Sequence, residues 1–308
     1  MEKTQTMFDY FMFAYMYQLE HLLQTKEQEI LSIKFNLDEA NTDRHLKEFI
    51  KNVIKSECSS LNMDFIAKEL ELVKDTESTS FNIEDLSKIT INDVLLPEEI
   101  TPEIKKELIK GKKSTYTNPD LLLVFKENNV IIYKSIELKS TTKNEIPGSS
   151  VQQINPDEWV IFVQHKKQSA IITTGKYIYS INSKLPFPDR SPRPKVAFSE
   201  LRDWNTKHRT MSTTTLRYDL DSKEYNSRCE IVTDWHEKLC EDWIKVLITI
   251  PTKSSPWFHK VLRKFILHFL SMYEQLSPDE KNTLKTNIYN TISKEKDMDE
   301  IDEKDIAE

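Results

Sequence analysis

The chain has 308 residues, 38% of them hydrophobic and 30% charged, enough for one sizeable buried core and a helical satellite. Only three glycines are present (Gly111, Gly148, Gly175), so neither a dinucleotide fingerprint nor a phosphate-cradling loop can be written. The net charge of −7 is unevenly spread: His165 to Arg217 holds eleven Lys/Arg against three acids, and Lys294 to Glu308 holds eight acids against three Lys. Binding follows local potential, so a basic face on an acidic protein can still meet a polyanion.

In chain order, Phe8, Phe11, Met12, Tyr15, Leu19, Leu22 and Leu23 recur at helical spacing. Asp9, Gln18, Glu20 and His21 interrupt this stretch and no small-residue cleavage site follows, so it reads as a packed helix rather than a signal or membrane segment. Leu46, Phe49, Ile50, Val53 and Ile54 predict a second helix capped at Asn41 or Thr42, and Thr101-Pro102 opens a third that ends at Gly111. Strand patterns follow at Leu121 to Phe125, Val130 to Lys139, Glu158 to Gln164, Ala170 to Thr174 and Lys176 to Ile181. A proline-rich basic segment with Pro186, Pro188, Pro192 and Pro194 leads to helices after about Glu230, where Trp235, Leu239, Trp243, Val246 and Leu247 share a side. Ser277-Pro278-Asp279-Glu280 is a capping box with proline at the first helical position, and the acidic tail is expected to be disordered.

The expected division is a helical region over 1–100, a catalytic core over 101–225, a second helical region over 226–293 and a tail over 294–308. Cys58, Cys229 and Cys240 are odd in number and lack metal-ligand spacing, as expected of reduced thiols in a cytoplasmic protein. The seven histidines form no cluster, and no Ser or Cys sits in a nucleophile motif.

The chemistry concentrates at Asn118-Pro119-Asp120 and Glu137-Leu138-Lys139. Pro-Asp and acidic-x-Lys each recur elsewhere in the chain, but only here does a Pro-Asp precede a strand-borne Glu-x-Lys at hairpin distance. If Asn128-Asn129 forms a two-residue turn, Glu127 pairs with Val130 and Asp120 stands opposite Glu137. Opposed side chains share a sheet face with Cβ atoms roughly 4.5–5.5 Å apart, and Lys139 projects from the same face. Carboxylates so close repel unless a cation lies between them, and all-oxygen ligation favours Mg²⁺. A one-residue slip would separate them.

This arrangement resembles the PD-(D/E)xK nuclease superfamily, and within it the type II restriction endonucleases, over roughly Asn118 to Gln164, including Thr141 to Gln153. The resemblance implies an α/β (α+β) restriction-endonuclease-like core, a small mixed β-sheet flanked by helices, and hydrolysis of double-stranded DNA to 5′-phosphate ends. It maps metal ligation onto Asp120, Glu137 and the Leu138 carbonyl. Lys139 matches the residue that positions or deprotonates the attacking water. A further acidic ligand from an upstream helix would be Glu48 or Glu107.

Candidate DNA contacts are Lys143, Ser149, Ser150, Gln152, Gln153, Lys166, Lys167, Arg190, Arg193 and Lys195, with Arg202, Lys207 and Arg209 beyond them. Gln152 or Gln153 has the amide needed to read adenine. A homodimer acting on palindromic sites, with a cognate DNA methyltransferase as system partner, would complete the picture. A repair, recombination or transposition nuclease, and a non-catalytic DNA-binding protein on this scaffold, stay open beside it.

Overall fold

A computed structural model describes residues 7–33, 43–62, 68–109, 119–127, 130–149, 154–182, 194–233, 235–252, 255 and 257–305. The chain forms two compact units, one of residues 1–109 with 114–233, the other of 234–308 with 110–113. Among the described residues, strands occur in the first unit and helices in both. In the second, α8 (Trp235–Ile248) packs against α9 (Trp257–Gln275), and α10 spans Pro278–Asp305. Among the described residues, no helix is long and apolar enough to cross a membrane.

The first unit is built around a five-stranded sheet in the order β3 (Ile91–Leu95), β4 (Leu121–Glu127), β5 (Val130–Thr141), β7 (Trp159–Lys166), β8 (Ser169–Lys176). Pairing is antiparallel throughout except between β5 and β7, which run parallel. The residues that make these strands are buried on both faces: Leu121, Leu122 and Leu123 in β4, and Val160, Ile161, Phe162 and Val163 in β7, are fully covered. Continuous apolar runs of this kind need helices on either side.

One cover is α1 (Met7–Thr25), whose Phe8 and Phe11 pack edge-on to Phe125 and whose Phe13 meets Trp159. The opposite face carries Phe162, which meets Phe198 at the start of α6 (Phe198–His208), and Leu122, which packs with Ile100 and Leu108 next to α5 (Pro102–Ile109). The mixed sheet with helices on both sides matches the expected fold class at that level.

A second sheet of β1 (Glu69–Lys74), β2 (Glu77–Asn82), β11 (Arg209–Met211) and β12 (Thr215–Leu220) lies beyond α1, touching it through Phe13–Tyr218 and Tyr10–Phe81. This explains why α1 is covered almost all round rather than along one stripe. A small third sheet joins β6 (Glu145–Pro147), β10 (Lys195–Ala197) and β9 (Ile181–Asn182).

Several expectations are corrected. Residues 1–100 are not a helical region, because β1, β2 and β3 fall within them; Leu70 and Leu72 alternate with Glu69 and Glu71, a short strand signal completed by the distant β12. The second boundary moves from 225/226 to 233/234, since α7 (Ser222–Thr233) belongs to the first unit. Lys176 to Ile181 is not a strand. Tyr177–Ser180 is a single 3-10 turn, closed by Ser180 Oγ donating to the Tyr177 carbonyl at 2.6 Å, with all four residues buried. Nor does helix stop at the acidic tail: α10 continues through Asp305, over a run without Gly or Pro that includes helix-forming Lys and Glu. The capping box holds, with Ser277 Oγ and N–H both donating to Glu280 Oε2. The Asn41/Thr42 cap, Gly111 and the Asn128-Asn129 turn lie outside the described residues.

The free edge of β8 is closed by side chains. Its outward N–H groups at Ala170, Ile172 and Thr174 donate to Glu27, Gln24 and Glu20 at 2.8, 3.1 and 2.7 Å. An open edge invites pairing with another chain, and a row of helix-borne acceptors removes it. Glu20 also takes both guanidinium nitrogens of Arg209, whose plane lies over Tyr17. Both side chains are largely covered, so Glu20→Ala leaves a buried cation and an edge N–H unmatched. The expected cost is about 3–5 kcal/mol, read from the denaturant midpoint at constant slope. A loss under about 1 kcal/mol would show that the pair is dispensable.

Candidate active site

The site begins where β4 stops pairing. The register runs from Glu127↔Val130 to Leu121↔Ile136, so Asp120, one residue before the strand, falls opposite Glu137 as the two-residue turn predicts. In the parallel pairing, Glu137 is level with Val160 and Lys139 with Phe162, so the acid and the lysine share the sheet face that α6 covers farther along. Leu138 instead points its backbone polar groups toward β4: its N–H donates to Asp120 Oδ2 at 2.7 Å. The N–H and C=O of one strand residue face the same neighbour. The residue across from Leu138 is Pro119, which has no N–H to offer that carbonyl. The proline thus ends the ladder without a strand donor for the Leu138 carbonyl, one register step from Asp120 and Glu137.

Two lysines and a hydroxyl complete the cluster. Lys47 Nζ, from α3 (Asp43–Glu57), lies 2.6 Å from Asp120 Oδ1, and Lys139 Nζ lies 2.5 Å from Glu137 Oε1. The four charged side chains are only 15–19% exposed. Ser149 Oγ donates to Glu137 Oε1 at 2.9 Å, while its N–H donates to the buried Tyr177 hydroxyl at 3.0 Å. Gly148 is required here for space. A Cβ on it would come within 2.8 Å of both Tyr177 Oη and the Pro194 carbonyl, which already accepts from Gly148 N–H at 2.7 Å. Pairing of β6 with β10 holds this corner in place.

The electrostatics follow from crowding. Burial, then the neighbouring Glu137 charge, push the Asp120 carboxyl from its ordinary 3.8 up to about 6, against the pull of Lys47 and Lys139. Burial alone would lower Lys139, but Glu137, Tyr177 and Asp120 outweigh it and keep the ammonium firmly protonated. Tyr177 is raised, mainly by burial.

Of the sequence-derived residues, the structure therefore brings together Asp120, Glu137, Leu138, Lys139 and Ser149. Lys143 is exposed on the turn after β5, Lys166 at the end of β7 and Lys167 on the turn that follows it. Lys195 is engaged with Glu145 at 3.3 Å, and Lys207 approaches Glu224. Arg209 is corrected outright: it is enclosed against Glu20 and Tyr17, so it cannot reach a phosphate without breaking that pair. Glu48 is turned to Arg44 and His45 on the outer side of α3, and Glu107 is exposed on α5. Ser150, Gln152, Gln153, Arg190 and Arg193 lie outside the described residues.

Lys47, Tyr177 and Gly148 were not singled out from sequence. For Lys47 a signal exists, since Lys47, Lys51 and Lys55 recur every fourth residue of α3.

Among the described residues, no group of three or more His, Cys, Asp or Glu could hold a metal by itself. Two carboxylates, a main-chain carbonyl, water and substrate oxygens nonetheless fit Mg²⁺, which is commonly bound by one or two protein carboxylates and retains waters. Comparison with protein-family models, curated proteins and solved structures finds no match for the chain.

Because the folded state holds the Asp120 proton more tightly than the unfolded chain, this group's contribution to stability falls as pH rises from about 4 to about 6. Carbon-detected NMR of the metal-free protein should show an Asp carboxyl titrating near 6, and Glu137→Gln should lower it while the contribution of burial stays. An unmoved titration in that variant would mean that the two carboxylates do not sense each other.

Proposed function

We propose that the protein is a Mg²⁺-dependent endonuclease of the PD-(D/E)xK type, hydrolysing double-stranded DNA at a specific sequence to leave 5′-phosphate ends, as a type II restriction enzyme does. The observation that carries this reading is the juxtaposition of Asp120, Glu137 and Lys139 on one sheet face at the place where Pro119 leaves the Leu138 carbonyl without a strand donor. A structural salt-bridge cluster needs no such carbonyl, and placing two carboxylates opposite each other costs stability that a ligand would offset.

In this reading Asp120 and Glu137 present oxygens to the metal, and the Leu138 carbonyl adds a neutral third. The bound ion supplies a lowered water pKa and charge neutralisation at the phosphorus. Lys139 holds the attacking water in line by hydrogen bonding. Ser149 fixes the Glu137 carboxylate, and the Tyr177 hydroxyl fixes Ser149. Exposed Lys143, Lys166 and Lys167 meet backbone phosphates. Ser150, Gln152, Gln153, Arg190, Arg193 and Lys195 remain candidate contacts, with Gln152 or Gln153 the base reader. The palindromic sites of such enzymes favour a homodimer, for which the second unit exposes apolar side chains including Ile248 and Phe265. A cognate methyltransferase would protect the host sequence.

Purified protein incubated with plasmid DNA and Mg²⁺ should produce discrete fragments with 5′-phosphate ends. Asp120→Ala, Glu137→Ala and Lys139→Ala should each lower the cleavage rate by about 10³-fold or more, with unchanged circular dichroism and retained DNA binding. Full activity in any of the three would sink the site assignment, and cleavage of junctions or flaps alone would point to a repair enzyme. DNA affinity should also fall by about 10³-fold between 50 and 200 mM salt if six or so phosphates are neutralised. A flat response would remove the basic turns from the interface.

A further inference from the structure

We infer that Lys47 is a built-in stand-in for the metal: it neutralises Asp120 while the site is empty and must withdraw from that carboxylate for a divalent cation to enter. The inference rests on the metal-dependent reading above and concerns how the site is loaded.

The geometry is specific to one oxygen. Asp120 Oδ2 is committed to the Leu138 N–H, and Oδ1, the other lone-pair-bearing oxygen, is where the Lys47 ammonium sits at 2.6 Å. A divalent cation reaching Oδ1 would meet a like charge within about one bond length of its own ligand, which is strongly unfavourable in a partly desolvated site. Both cannot stay.

Lys47 also differs from its neighbours on α3. Lys51 and Lys55 make the next two rungs of the same row, reaching Glu99 at 2.5 Å and Asp93 at 2.8 Å. Their acidic partners are 39% and 44% exposed, whereas Asp120 is 16% exposed. The outer rungs dock a helix in screened surroundings, and their loss matters little. The inner rung sits on a largely covered carboxylate beside Glu137, whereas Glu99 and Asp93, which also neighbour each other, stand in more exposed surroundings.

Lys47 is also carried by a different element from the acids it serves. Asp120, Glu137 and Lys139 are locked by one strand register, but Lys47 reaches in from a helix on a flexible four-carbon stem. Swinging off Asp120 leaves its ammonium beside the metal, where a phosphate oxygen of bound DNA is the natural new partner. Metal entry and phosphate binding then favour each other, because each releases what the other needs, and the coupling is reciprocal.

The test is Mn²⁺ binding without DNA, followed by the loss of the free-ion electron paramagnetic resonance signal. Lys47→Met should bind Mn²⁺ about tenfold or more tightly than wild type, a gain within the strength of one unit charge at this distance. Lys47→Gln keeps a hydrogen-bond donor to Asp120 should the methionine variant fold poorly, and it should shift the same way. Lys47→Arg keeps the cation and should bind as wild type does. Lys51→Met, removing an outer rung, should also leave affinity unchanged. Adding a short DNA duplex should tighten Mn²⁺ binding by a larger factor in wild type than in Lys47→Gln.

If wild type binds Mn²⁺ in a way abolished by Asp120→Asn, yet Lys47→Met and Lys47→Gln bind no more tightly, the stand-in role is wrong and the metal site survives. If neither wild type nor either Lys47 variant shows Asp120-dependent binding, the metal reading itself fails, and the inference with it.

Discussion

The chemistry of this molecule depends on where β4 stops pairing with β5. An antiparallel ladder normally continues until one strand turns away, and every backbone group along it is consumed. Here it ends at Leu121↔Ile136 because the Asp120 side chain takes the Leu138 N–H, and Pro119 has no N–H to donate to the next stretch of β5. The ladder is thereby converted from backbone to side-chain recognition over a single residue. Asp120 is oriented by the Leu138 N–H that a strand neighbour would otherwise have taken, and Glu137 faces it as the next non-hydrogen-bonded pair, the closer kind in an antiparallel ladder.

That arrangement creates a problem of charge. Two carboxylates share a space that is mostly sealed from water, and the Asp120 carboxyl is accordingly hard to ionise. The fold answers with Lys139 on the same strand, Lys47 on a helix and Ser149 on the loop beyond Gly148. These partners come from three separate parts of the chain, so the cluster forms only once α3, the central sheet and the β6–β10 corner are assembled. The same logic recurs at the far edge of the sheet, where Glu20, Gln24 and Glu27 match the outward N–H groups of β8 and Glu20 holds Arg209. At both places buried charges and backbone donors are matched by side chains from other elements.

The basic segment shows how composition misleads when read without structure. An excess of Lys and Arg from His165 to Arg217 looked like one electropositive face. Arg209 is spent inside against Glu20, Lys176 lies over the Trp159 ring, and Lys195, Lys207 and Arg217 each have an acidic neighbour. Burial pulls Lys176 down to about 8. Among the described residues of the segment, exposed Lys166, Lys167 and Arg202 remain, while Lys184, Arg190 and Arg193 lie outside them. Net charge along a segment is a property of the chain, and potential is a property of the surface.

The sequence by itself determined the strand pair and which side chains share its face. That result is local: a two-residue turn sets the register, and a period of two then assigns Asp120, Glu137 and Lys139 to one side without reference to anything farther away. The α3 stripe of Leu46, Ile50, Val53 and Ile54 and the Ser277–Glu280 capping box were legible for the same reason. Tertiary structure alone decided that β1 pairs with β12, that Tyr177 begins a 3-10 turn rather than a strand, and that Lys47 and Tyr177 close the site. These contacts join residues far apart in the chain, or depend on burial from several sides at once. No short window of sequence carries that information, because helix and strand patterns state which face is buried but not what buries it.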